Sequence, residues 1–197
     1  MRVPATALAI KPQERCPGWR MKLEKFLIEH CSPTLASLKA GNLVNVSKYE
    51  IENASKSIEE LNEKLNKKGV NVRIVKESST RILVYVYRKD KLIDEWAKPG
   101  VKSFMEKRGY GDLSVDMAID KLSDKLMKNE GFPHEIGMFL GYPLGDVIGF
   151  IANSGKNSKC TGCWNAKKKF AQFDKCKKVY KNLWNSGKGL MQLAVSA

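Results

Sequence analysis

The stretch Phe132–Ile151, FPHEIGMFLGYPLGDVIGFI, constrains the fold more than any other. It is the least polar long segment, so most of it needs a partner to cover it, and it is cut by residues that punctuate helices. Pro133 suits the first turn of a helix, after which Ile136, Phe139 and Leu140 fall on one helical face. Gly141-Tyr142-Pro143 then breaks the run. Leu144, Val147, Ile148 and Ile151 share one face of a second helix. Two readings stay open: two short core helices joined at a tight corner, or a corner that carries His134, Glu135 and Tyr142 to a pocket.

The remaining elements are short and alternate in type. Met1–Arg20 holds three prolines and reads as a loose tail. A helix is predicted over Met21–His30, with Ser32 capping the next one and Pro33 at its first helical position. Asn42–Val46 is a strand. Ser47 is expected to cap an amphipathic helix that reaches Lys68, with Ile51, Ala54, Ile58, Leu61 and Leu65 as its stripe and Gly69 as its stop. Val70–Val75 and Arg81–Tyr87 read as a hairpin around the turn Glu77–Thr80. Lys91–Trp96 and Val101–Arg108 are short helices around Pro99-Gly100, and Ser114 caps a helix running to Asn129. Two further helices are expected over Asn165–Phe173 and Lys175–Asn185. The pattern predicts an α+β fold: a helix-rich single domain with a small three-stranded sheet. Residues 1–20 form an extension, 21–153 the core, and 154–197 a helical, lysine-rich C-terminal segment packed on that core.

Charge is uneven. The net +14 is concentrated in Ser154–Gly189, which has ten lysines and one acid, Asp174. That asymmetry points to nucleic acid or an acidic protein as a partner, or else to a solvated lysine face. The segment lacks arginine, which bidentate phosphate and guanine contacts favour. No apolar run offers the roughly 20 residues of a membrane helix, so no membrane partner is expected. Val3–Ile10 is too short for a signal peptide, and five cysteines without framework spacing suit a reducing compartment. The chain is read as cytoplasmic.

No phosphate-cradling glycine loop or nucleophile-elbow motif is present. The candidate chemistry is therefore carried by two motifs. Cys31, just before an expected helix N-terminus, would feel the positive end of the helix dipole, which favours thiolate; the alternative is a small buried cysteine. His30 adjoins it, and His134 adjoins Glu135 in the other motif. A cysteine and a histidine can act as nucleophile and base, or as soft metal ligands. The predicted site lies between them, with Cys31 and His134 catalytic and His30, Ser32, Thr34, Glu135 and Tyr142 contacting a ligand. That ligand is a small molecule, a metal or a redox cofactor, its identity unknown. Cys160, Cys163 and Cys176 offer three thiolates, but zinc in a structural site needs four ligands and a second CxxC is missing, so no metal site is assigned. An interaction module without chemistry is a further alternative.

The stretches FLIEHCSPTLASLKAGNL (Phe26–Leu43), RILVYVYR (Arg81–Arg88) and FPHEIGMFLGYPLGDVIGFI, with GKN at Gly155–Asn157, Trp164 and Cys176, resemble an uncharacterised bacterial domain family of clostridial-type anaerobes. The resemblance runs from Met21 to Gly187. It marks Cys31–Thr34 as one motif and His134, Glu135 and Gly141–Pro143 as the other, and it carries no activity across. It also implies an aromatic residue where Cys163 stands.

Overall fold

The strand RILVYVY is apolar on both faces. Alternation sends Ile82, Val84 and Val86 one way and Leu83, Tyr85 and Tyr87 the other, and all but Leu83 are buried. A strand of that kind has to be covered on both sides. In the computed structural model, which describes residues 23–51, 53–128, 133–152 and 163–196 (backbone only over 163–167), it is. This strand, β3 (Arg81–Tyr87), is the centre of a three-stranded antiparallel sheet between β1 (Gly41–Ser47) and β2 (Asn71–Glu77). Val44 pairs with Val84 and Val72 with Val86, so one face is a continuous valine-rich surface. A bulge between Ile74 and Lys76 turns Val75 to the other face.

Helices cover the valine face from α1 (Leu23–Leu35), α2 (Ala54–Leu65), α8 (Cys163–Asn185) and α9 (Leu190–Leu193). The tyrosine face is covered by α3 (Lys89–Trp96), α4 (Pro99–Glu106), α5 (Val115–Met127), α6 (Ile136–Phe139) and α7 (Leu144–Ala152). The fold is α+β, as predicted, with the sheet as a middle layer. Among the described residues, no helix is long and apolar enough to cross a membrane.

The predicted corner is present. Gly141 sits at φ 71°, Tyr142 N–H donates to Gly137 O at 2.9 Å and Gly141 N–H to Met138 O at 3.3 Å, a Schellman ending of α6. The Gly137 position touches α7 so closely that a Cβ there would lie 2.6 Å from Val147 Cγ2. Of the expected α7 stripe, Val147 is buried, Leu144 and Ile151 are half-buried and Ile148 is exposed. Ser114 caps α5, its hydroxyl accepting from Met117 N–H at 3.3 Å.

Several boundaries differ from expectation: α6 opens at Ile136 with Pro133 ahead of it, α3 and α4 each open two residues early, and α9 was not expected. The first helix does not stop at His30: α1 continues to Leu35 with Pro33 inside it. Pro33 lacks the N–H for a bond to Glu29 O and its ring crowds that carbonyl, a cost that the burial of residues 31–35 offsets. The Ser32 hydroxyl donates back to Ile28 O instead of capping a new helix, and residues 31–35 are buried. Ser47 does not cap α2 either. It ends β1 and accepts from Tyr49 N–H, while the helix starts at Ala54. The two C-terminal helices are one, α8, because Asp174 lies on its exposed side while Cys176 and Tyr180 pack inward against α1. The expected tail, Met1–Arg20, lies outside the described residues, as does Cys160.

Candidate functional site

The two motifs fall on opposite faces of the sheet. Cys31, in the third turn of α1, is 0% exposed in the valine-face layer. His134 is exposed ahead of α6 in the other layer, its ring 5.3 Å from that of Phe150. They do not meet, so they do not form a nucleophile–base pair. The expected thiolate is corrected as well, because no helix begins beside Cys31. Burial pushes its thiol up to about 12, which Lys39 and Lys177 offset only in part, so it is a core side chain at neutral pH.

The neighbouring residues hold the fold together. His30 is exposed, its ring tilted 45° against that of Phe26 with centroids 4.4 Å apart, and its carbonyl accepts from Asn42 Nδ2 at 3.1 Å. Thr34 Oγ1 donates to Asn42 Oδ1 at 2.7 Å, so the motif clamps α1 to the start of β1. Ser32 and Thr34 are fully buried. Glu135, 8% exposed, accepts from Lys125 Nζ at 2.5 Å and from the Tyr110 hydroxyl at 3.1 Å. Burial alone would raise its carboxyl, but the Lys125 and Tyr110 contacts outweigh it and hold it below the usual range. Glu135 thus ties α5 to α6. Cys163 and Cys176 are thirteen residues apart on α8, roughly 20 Å along its axis, while Cys160 and the Cys163 side chain lie outside the described residues.

The motifs do meet a few residues further on. A Cβ on Gly41 would lie 2.7 Å from Phe139 O, and one on Gly141 would lie 3.1 Å from Ala40 Cβ. Beside this contact opens a cleft of about 200 Å³. The loop between α1 and β1 contributes Leu38, Lys39 and Ala40, the corner contributes Tyr142, and α8 contributes Lys169, Phe170 and Phe173. Lys91, Asp94 and Glu95 of α3 and Asp146 of α7 also line it. Tyr142 is the predicted site residue that lines it.

Lys39 is the group that stands out. Its backbone is anchored, since Pro33 O accepts from both Leu38 N–H (2.8 Å) and Lys39 N–H (3.1 Å), and Ala40 O accepts from Arg88 N–H at 2.9 Å. Its Nζ lies 5.0 Å from the Tyr142 ring centroid and 6.0 Å from that of Phe173. Among the described residues it has no ion pair or hydrogen bond. Burial and the nearby Lys177 ammonium lower its pKa to about 8, with Cys31 acting weakly the other way. Ring contacts at this range are worth about 0.5–1 kcal/mol, too little to restore an ordinary lysine.

A family model described as a protein of unknown function, DUF3793, matches residues 27–194, from α1 through α9. The chain belongs to the DUF3793 family. No curated protein and no solved structure matches it.

In this DUF3793 chain the sequence itself marks Lys39. It is the only charged residue from 31 to 47, and an isolated charge amid apolar and small residues is either capped or used. Its cost to the fold is measurable. The unfolded chain binds the proton first as pH falls from 10.5 to about 8, so stability drops through that window and the full penalty stands below it. Lys39→Met should therefore be more stable than the parent at pH 7, by about 1–2 kcal/mol after allowing for solvent screening. The gap should close by pH 10.5, where the parent lysine is uncharged in the folded chain. Urea melts at the two pH values check this. An equal gap at both would remove the charge as its cause.

Proposed function

We propose that this chain is a cytosolic protein that binds a small, ring-bearing anion in the Lys39 cleft. The observation that carries the reading is the half-buried Lys39 ammonium, held beside the Tyr142 and Phe173 rings with no carboxylate partner among the described residues. A ring would pack on those aromatic walls while its carboxylate or phosphate accepts from Lys39, with Lys169 at the rim. The carboxylates of α3 and α7 would favour a hydrogen-bond donor at the ligand's other end. The volume is below the roughly 300–1,000 Å³ used by drug-sized ligands, which suits a single ring. Cys31 and Cys176 are buried free thiols, in keeping with a reducing compartment.

Calorimetric titration with benzoate and phenyl phosphate tests this. Saturable binding with a Kd on the order of 0.1–1 mM is expected, weakened at least about tenfold by Lys39→Met or Tyr142→Ala. Binding that ignores both substitutions would sink the reading.

A second reading places a polyanion on α8. Lys168, Lys175, Lys178 and Lys181 are all exposed on a single 23-residue helix. If they hold nucleic acid, affinity should fall steeply with salt because neutralised phosphates release counterions. Failure to shift a DNA or RNA duplex at low salt would leave these lysines as a solvated face.

A further inference from the structure

Resting on the reading of the Lys39 cleft as a ligand site, we propose that Lys39 Nζ is a nucleophile that forms a reversible imine with a small anionic aromatic aldehyde or ketone. The cleft supplies the arrangement such a reaction needs. The amine projects from a loop whose backbone is tied to α1 through Pro33 O and to β3 through the Ala40–Arg88 hydrogen bond, so it is presented rather than left to wander. The rings of Tyr142 and Phe173 flank it, apolar surface on which an aromatic carbonyl compound can lie, and with its carbonyl turned to Lys39 the carboxylate at the far end of the ring would pass from Lys39 to Lys169 at the rim. Among the described residues it has no salt-bridge partner to lock its lone pair in an ammonium.

Two other lysines line the cleft, but Lys169 is exposed and Lys91 shares its helix with Asp94 and Glu95. Burial and the Lys177 charge supply independent support. With its pKa lowered to about 8, Lys39 is neutral far more often at pH 7 than an ordinary lysine, roughly a tenth of the time against under a thousandth. Lysines of this kind are the ones that make Schiff bases.

The step balances without an added oxidant or reductant. The amine lone pair forms the N–C bond as the carbonyl π pair moves to oxygen. A proton passes from nitrogen to that oxygen through water, giving a carbinolamine. The hydroxyl leaves as water after taking a second proton, and a protonated imine remains. Water reverses each step.

The full-length chain is treated at pH 7 with 4-carboxybenzaldehyde and cyanoborohydride, which reduces any imine to a stable secondary amine, and the labelled lysines are mapped by peptide mass spectrometry. Lys39 should be labelled at least about tenfold faster than exposed Lys175 or Lys178, from its larger neutral fraction. Excess benzoate should slow labelling at Lys39 alone, and the preference should shrink toward pH 10.5, where every lysine is losing its proton. Labelling spread evenly over the surface lysines, with benzoate still binding in the calorimeter, overturns the imine and leaves the anion site standing. Preferential labelling of Lys39 without benzoate protection overturns the anion site instead. Even labelling with no benzoate binding overturns both.

Discussion

Replacing Arg88 with methionine should destabilise the protein by about 3–5 kcal/mol, measured by urea unfolding at neutral pH. The residue follows β3 and is 0% exposed, yet its guanidinium meets carbonyls rather than a carboxylate. Nε donates to Thr34 O at 2.7 Å, Nη1 to Lys68 O at 3.0 Å, and Nη2 to Leu35 O at 2.8 Å and Val195 O at 2.7 Å. Two of these are the last carbonyls of α1, where the helix dipole is negative and favours a cation. The third ends the 3-10 turn Asn66–Lys68, and the fourth belongs to the C-terminal tail, which also returns Val195 N–H to Leu35 O at 3.0 Å. Methionine fills the space but removes all four donations, leaving Thr34 O with Ser37 N–H alone and Leu35 O with Val195 N–H alone. Lysine should fail nearly as badly, because one ammonium cannot reproduce the planar fork. A loss below about 1 kcal/mol would mean that water replaces the guanidinium at little cost.

Cys31 should react with iodoacetamide at pH 7 about 10³-fold more slowly than a free thiol, or slower still. Burial sets its pKa near 12 against an ordinary 9, and the two nearby lysines restore little of the difference. At zero exposure the reagent also has to wait for α1 to separate from α8. In denaturant the rate should return to that of a model thiol. Rapid labelling of the native chain at the Cys31 peptide would show that α1 opens locally, and would restore the cysteine as a reactive group.

Local rules were enough for several elements. The alternation of RILVYVY placed β3 residue for residue, Ser114 placed the start of α5, and Gly141-Tyr142-Pro143 placed the corner between α6 and α7. In each case the information sits within a few positions: a period of two, a hydroxyl three residues before an N–H, a glycine able to adopt positive φ. Tyr142 was legible as a site residue because it belongs to that corner.

Other features depended on partners far along the chain. Ser32-Pro33 has the form of a helix start, yet burial of residues 31–35 carries α1 through it. Nothing near Arg88 in sequence announces Thr34, Lys68 or Val195 as its acceptors. The same holds for Cys31 and His134. Each motif has its own local logic, but which face of the sheet it reaches is decided by the strand order β1-β3-β2 and by the helices that cover each side. The sequence by itself determined the elements, since periodicity and capping act over one or two turns of chain. Only the tertiary structure decided that Cys31 is sealed in the core while Lys39, eight residues later, lies beside Tyr142 at a cleft, because burial and charge environment come from residues a hundred positions away.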